Sequence, residues 1–229
     1  VAKVAILKFP GTNCDEDVHH VLVNIVGIYS EIVWYKNFVL DNWDAVVIPG
    51  GFSYGDWLRA GAIAARTYAV ERLRDAKDKN IPVLGICNGF QILVEANLLP
   101  GALLPNESSK FVCKWVRTYV ERPRGPWLSL AVEGQEIDMP VAHAEGRYYV
   151  DEETYRSSLT KSPLIRYAQG YNPNGSLYDI AGVASEDGLV LGLMPHPERA
   201  SEEILSPRGF RSNGRIIFES LAYSLKKGW

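Results

Sequence analysis

Gly85-Ile86-Cys87-Asn88-Gly89 sets a thiol between two glycines, after an apolar run from Ile81 to Ile86 and before Gln91, Ile92, Leu93, Val94 and Ala96. A strand that turns straight into a helix through small-x-nucleophile-x-small is a nucleophile elbow, with Cys where hydrolases often carry Ser. Glycines flank the nucleophile because its backbone is strained and a Cβ at either position would crowd the turn. The helix N-terminus turns its free N–H groups and positive dipole end toward the sulfur, favouring thiolate. The plainer alternative is a structural cysteine packed as a small hydrophobe.

A nucleophile needs a base and an orienter. Gly188 to Met194 reads as a strand and runs into Met194-Pro195-His196-Pro197-Glu198-Arg199. Two prolines bracketing His196 predict an extended chain, with His196 and Glu198 projecting to one side. A carboxylate there fixes the imidazole tautomer and stabilises its cation. Cys87 then attacks, His196 carries the proton and Glu198 orients His196. His196 must act first as base and then as acid, so a pKa near neutral is expected. Oxyanion donors are expected at the N–H of Asn88 and, from the loop Pro49-Gly50-Gly51-Phe52-Ser53-Tyr54-Gly55-Asp56, at the N–H of Gly51. A phosphate loop would need a Lys-Ser/Thr ending, which is missing, as is the G-x-G-x-x-G spacing of a dinucleotide site.

Cys14 is the rival nucleophile, but Asp15, Glu16 and Asp17 follow it, and negative charge disfavours its thiolate. A metal site built from Cys14, His19 and His20 lacks spacing and further ligands, so no metal is expected; both histidines are expected to face solvent.

These groups meet only if the right elements carry them. Val4-Ala5-Ile6-Leu7, Ile28 to Trp34 and Ala45-Val46-Val47-Ile48 read as strands. Between the first two, Asn13 is expected to cap a helix whose stripe is Val18, Val21, Leu22, Ile25 and Val26, ending at Gly27. Another helix is expected from about Leu58 to Lys77, and the last from Arg215 to Lys227. Strand, helix, strand at this tempo implies an α/β fold with a mostly parallel sheet flanked by helices. Residues 106–185 change to long alternating strands, read as an antiparallel extension of the same sheet. The alternation around Phe111, Cys113 and Trp115 puts Cys113 in the core. A short helix is expected near Asp151–Leu159, and Asn172-Pro173-Asn174-Gly175-Ser176 reads as a hairpin-type turn. No linker divides the chain, so one domain over 1–229 is expected.

The 229 residues are 47% hydrophobic and 22% charged with a net charge of −3, both signs interspersed. That pattern argues against nucleic acid or a membrane as the main partner. No apolar run approaches a membrane span and no leader pattern opens the sequence, so cytoplasm is the expected compartment. Three widely spaced cysteines give neither a disulfide framework nor a metal knuckle.

The sequence resembles the class I (triad) glutamine amidotransferases. Cys87-Asn88-Gly89-Phe90-Gln91 matches their C-x-G-x-Q segment and His196-Pro197-Glu198 their H-P-E segment, with a Gly-Gly oxyanion loop one strand before the cysteine. Within the class it is most similar to the family of glutaminase subunits of phosphoribosylformylglycinamidine synthase. Phe9-Pro10-Gly11-Thr12-Asn13-Cys14-Asp15, the loop from Pro49 to Asp56, Ala142-His143-Ala144-Glu145-Gly146-Arg147, Asn172 to Ser176 and Met194 to Arg199 carry that likeness. The resemblance implies a flavodoxin-like fold and a γ-glutamyl thioester on Cys87, formed from L-glutamine with release of ammonia. It also implies no cofactor in this chain. Two partners follow from it: a large synthetase subunit that uses ATP and Mg to aminate formylglycinamide ribonucleotide, and a small third subunit. Gln91 either shapes the substrate pocket or is structural. His143, Glu145 and Arg147 alternate along an extended segment and either line the glutamine pocket, contact the synthetase or form a salt-bridged surface. Competing readings are a free-standing cysteine hydrolase of γ-glutamyl or peptidase type and a binding module that merely retains the elbow.

Overall fold

Short charge-free runs of branched apolar residues make strands buried on both faces, and Ala45-Val46-Val47-Ile48 and Val83-Leu84-Gly85-Ile86 are fully buried along their length. The computed structural model describes residues 2–229. The chain opens with β1 (Lys3–Lys8), α1 (Asp15–His20), β2 (Tyr29–Trp34) and β3 (Ala45–Ile48), followed by α2 (Tyr68–Arg72), β4 (Val83–Ile86) and α3 (Asn88–Glu95). Next come β5 (Ala102–Leu104), β6 (Val112–Glu121), β7 (Glu136–His143), β8 (Arg147–Tyr149) and α4 (Glu152–Thr154). The chain closes with β9 (Leu164–Tyr167), β10 (Ile180–Ala184), β11 (Val190–Leu193) and α5 (Ile216–Lys227).

One nine-stranded sheet runs in the order β2-β1-β3-β4-β11-β10-β9-β6-β7, with β5 and β8 paired apart from it. Strands from β2 to β11 in that order are mutually parallel; from β11 to β7 every pairing is antiparallel. The 106–185 region therefore continues the parallel half as an extension of the same sheet. In the middle, Ile48 is level with Gly85, and Ile86 with Leu193. The carboxyl ends of β3, β4 and β11 thus open side by side on one edge, where open α/β sheets form their crevices.

Several local expectations change. Cys14, not Asn13, is the residue at the N-cap of α1, and no side chain caps that end. The helix runs on through a π-helical stretch, Val21–Val26, and stops at Gly27 with φ 75°. The long helix expected over 58–77 is broken. Leu58 and Gly61 take positive φ, and only short 3-10 turns and α2 form. Cys113 is exposed. The face of β6 that turns inward carries Val116, Thr118 and Val120, so the odd-numbered positions of the same alternation look out. The Asn172–Ser176 segment does lie between antiparallel neighbours, β9 and β10, yet it folds inward as part of a longer loop: Asn174 is buried. No helix among the described residues is long and apolar enough to cross a membrane.

Candidate active site

β4 ends at Ile86 and α3 begins at Asn88, leaving Cys87 as the whole turn, with φ 51° and ψ −104°. A non-glycine residue held there stores on the order of 1–3 kcal/mol of backbone strain. Close packing of the elbow demands the flanking glycines. A Cβ on Gly89 would run into the carbonyl oxygen of Ile48, and one on Gly85 would lie 2.6 Å from the backbone of Gly89. The Cys87 N–H is tied to Leu193 O at 2.8 Å, joining the elbow to the strand that delivers the histidine.

His196 follows β11 with both its ring and the Glu198 carboxylate buried, and Nδ1 lies 2.6 Å from Glu198 Oε1. Pro197 starts a 3-10 turn, Pro197–Ala200, so Glu198 reaches the imidazole by curling under it and not along an extended chain. Nε2 is buried with no hydrogen-bond partner, leaving it free to accept a proton. Burial by itself would push the imidazole pKa down; the charge of Glu198, aided by Cys87 and Cys14, overrides it and holds the pKa well above the ordinary value. This is higher than the near-neutral expectation, because a carboxylate in direct contact inside a dry site is worth more than the burial it opposes. His196 is accordingly a strong acceptor for a thiol proton.

Both buried thiols approach this ring. Cys87 Sγ faces the carbonyl oxygen of Ala142 at 3.6 Å, and Cys14 Sγ lies 4.0 Å from His196 Nδ1 and 3.3 Å from Arg199 Nη2. Cys14 is held as a thiol, with its pKa raised chiefly by burial. The neighbouring acids are not the cause, since Asp15 pairs with Lys8 and Asp17 with Arg199. His19 is half-buried and bonds Ser30 Oγ at 2.9 Å, and His20 bonds Glu202 at 2.7 Å, so neither joins Cys14.

A small cavity, about 20 Å³, opens on Cys87, with Gly51, Asp56, Gln91, His143 and Glu145 among its walls. Gln91 is part of a bracing chain. Asn88 Oδ1 accepts from the Ser53 N–H at 3.2 Å, Asn88 Nδ2 donates to Gln91 Oε1 at 3.0 Å, and Gln91 Nε2 donates to Glu145 O at 2.7 Å. The Gly50–Asp56 loop, the elbow and the β7–β8 turn are locked together by those side chains. His143 and Glu145 reach the cavity, but the bend at 144–146 moves Arg147 onto β8, where it does not line it.

Two features were beyond sequence reasoning. Asp56 shares the cavity with Glu145, and burial followed by the Glu145 charge pushes its carboxyl up to about 6. The signal available was only an acidic residue closing a glycine-rich loop. Asn106 and Asn174 clamp His143: Asn106 Oδ1 lies 3.1 Å from Nδ1, and Asn174 Nδ2 lies 3.5 Å from Nε2 and donates to Gly146 O at 2.7 Å. Burial, then the neighbouring His196, lowers His143 to about 4, so it stays neutral at working pH and is no general acid.

That shift has a pH consequence. Between about 4 and 6.5 the unfolded chain binds a proton at residue 143 that the folded chain refuses, so this residue's contribution to stability falls with pH through that window. The loss amounts to about 3 kcal/mol by the bottom of it. Denaturant titrations of wild type and His143→Gln at pH 7.5 and 4.5 should show the variant losing less stability on acidification. Equal acid losses in the two proteins would refute a buried neutral His143.

Sequence and structural relatives agree with this geometry. Residues 1–220 match the CobB/CobQ-like glutamine amidotransferase domain. Phosphoribosylformylglycinamidine synthase subunit PurQ of Methanosarcina mazei is 50% identical over 228 residues, covering 96% of this chain and 97% of that protein. The protein of the same name from Pyrococcus horikoshii is 48% identical over 232 residues, covering 99% and 100%. Among solved structures, that of PurLQS from Thermotoga maritima superposes with a TM-score of 0.84 at 40% identity, covering 98% of this chain and 99% of the matched one. A putative GMP synthase component from Thermoplasma acidophilum, 16% identical with a TM-score of 0.63 over 99% and 96% of the two chains, shares the fold. With a thiol elbow at β4 and a buried histidine–carboxylate pair beside it, the chain belongs to the CobB/CobQ-like glutamine amidotransferase family.

Proposed function

We propose that this chain is the glutaminase subunit of phosphoribosylformylglycinamidine synthase, supplying ammonia to a synthetase subunit in purine biosynthesis. The observation that carries the reading is the side-by-side ending of β3, β4 and β11, which gathers Gly51, Cys87 and the His196–Glu198 pair at one edge. Relatives named as this subunit, about half identical over nearly the whole chain, point to the same substrate.

His196 Nε2 takes the Cys87 proton as Sγ attacks the side-chain carbonyl carbon of L-glutamine. The carbonyl oxygen becomes an oxyanion held by the N–H groups of Gly51 and Asn88. Collapse breaks the C–N bond, the imidazolium protonates the departing nitrogen, and ammonia leaves a γ-glutamyl thioester on Cys87. Water, deprotonated by His196, adds to the thioester; the second collapse returns the proton to sulfur and releases glutamate. Glu198 holds the imidazole in the tautomer with its proton on Nδ1. Asp56 and Glu145, both at the cavity, suit the α-ammonium group of glutamine, while Gln91 and His143 shape its walls. Arg147 lies outside the cavity and has no substrate contact in this reading.

The resting cavity has room for about one water molecule. Glutamine enters only when the walls around Asp56 and Glu145 part, and docking of the synthetase is the event we assign to that opening. The partners are then the large synthetase subunit, where ATP and Mg act, and a small third subunit. All three cysteines are free thiols, which suits a reducing cytoplasm.

The test is ammonia release from glutamine by the purified chain alone, then with both other subunits, ATP, Mg and formylglycinamide ribonucleotide. We expect a rise of about tenfold or more on assembly, the size of an ordinary coupling between sites. Equal rates with and without partners would instead make this a free-standing hydrolase.

A further inference from the structure

Phe9–Cys14 is singled out by the sequence, yet no step above uses it. It lies against the Gly50-Gly51 loop, where Thr12 and Gly51 face each other as an isolated antiparallel bridge. The bonds of that bridge belong to neighbours: the Phe52 N–H donates to Gly11 O at 2.8 Å and the Asn13 N–H to Gly50 O at 3.1 Å. The Cys14 N–H adds a second bond to Gly50 O at 3.1 Å, and the Tyr54 N–H donates to Pro10 O at 2.7 Å.

In an antiparallel pair bonded this way, the facing residues turn their own N–H groups away from the partner strand. The peptide geometry leads to the same place independently. No described peptide bond is cis, so the Gly50 C=O and the Gly51 N–H point in opposite directions. Two donors draw the oxygen toward Phe9–Cys14, which leaves the Gly51 N–H facing the other way, and Gly51 is a wall of the Cys87 cavity.

We propose that the Phe9–Cys14 loop is the positioning element of the oxyanion hole. By gripping Gly50 O it aims the Gly51 N–H at the tetrahedral intermediate formed on Cys87. The inference rests on the glutaminase reading above. A Gly-Gly peptide otherwise flips easily, since neither residue has a side chain to resist it. Flipping would present a carbonyl oxygen to the oxyanion and strand two backbone donors, at Asn13 and Cys14. The loop is itself stiff: Thr12 Oγ1 accepts from the Phe9 N–H at 3.0 Å, and the Thr12 N–H donates to Phe9 O at 3.1 Å. Gly11 sits at φ 89°, and a Cβ there would strike the carbonyl oxygen of Phe52.

Gly11→Ala and Thr12→Val in the full chain, assembled with the synthetase, test this. Two rates are compared: glutamine hydrolysis, and alkylation of Cys87 by iodoacetamide, which needs the thiolate but builds no oxyanion. Loss of one oxyanion donor costs about 100-fold or more in kcat. Gly11→Ala should approach that with KM changed by no more than about threefold, and Thr12→Val should lose less in the same pattern. Alkylation should stay within about twofold of wild type in both. Alkylation falling in step with kcat would reduce the loop to a scaffold for the thiol and overturn the proposal, as would an unchanged kcat. If Gly11→Ala does not fold, Thr12→Val decides between the same outcomes. Failure of the wild-type assembly to release ammonia would sink the glutaminase reading itself; failure confined to the variants sinks this inference alone.

Discussion

Replacing Cys87 by alanine should lower ammonia release from glutamine by about 10⁴- to 10⁶-fold, the range seen when a nucleophile is removed from a working triad. Replacing Cys14 should not, although its sulfur too touches His196. The two thiols differ in what surrounds them. Cys87 opens α3, is held at φ 51° by a packed elbow, and borders a cavity that also reaches His143 and Glu145. Cys14 lies on the Nδ1 side of the imidazole, where Glu198 already takes the hydrogen bond, and burial keeps it protonated. Turnover quenched in acid and followed by peptide mass analysis should place the γ-glutamyl adduct on the Cys87 peptide alone. An adduct on the Cys14 peptide would reassign the nucleophile, whatever the kinetics of either variant.

How much of this was legible in the sequence follows from the range of each signal. The elbow, the His196-Pro197-Glu198 segment and the paired glycines at 50–51 are each local, encoded within a few residues by strand-to-turn grammar. Their meeting is not local, but it follows once all three are read as strand ends of one parallel sheet. Cys113 shows where such reading stops. Alternation says that one face of β6 is buried without saying which, and Trp115 and Phe111 share the outward face with it. The failed helix over 58–77 has a backbone cause: Leu58 at φ 71° is a conformation that its side chain gives no hint of. The role of Asn106 and Asn174 at His143 was hidden for a third reason. They reach His143 from 37 and 31 residues away, and polar side chains in loops ordinarily carry no record of what they will bond. The motif around Cys14 was visible as a likeness, but its physical use, gripping the neighbouring loop, needed the hydrogen bonds.

Glu198→Gln should cost about 10³- to 10⁴-fold in kcat, though the substituted side chain is nearly the same size. The carboxylate is fully buried, bonds Nδ1 through Oε1, and leaves Oε2 without a partner, so its charge is directed at the imidazole with little competition. An amide there offers either a neutral oxygen or an NH₂ group. In the second orientation it donates to Nδ1, forces the proton onto Nε2, and removes the site that accepts the Cys87 proton. The pH behaviour separates this from simple steric damage. In wild type, burial lowers the His196 pKa and Glu198 more than restores it; without the charge, burial is left to act and the pKa drops. The acid limb of kcat/KM should therefore move to lower pH in the variant. Stability moves with it. A histidine whose folded pKa is raised contributes stability that is complete below its unfolded value, near 6.5, and is lost as pH climbs through the folded value. The variant should lack that contribution, so the stability gap between the two proteins should be wider at pH 6 than at pH 9. A kcat loss with an unmoved acid limb would mean that Glu198 only fills space, and the orienting role assigned to it would fall.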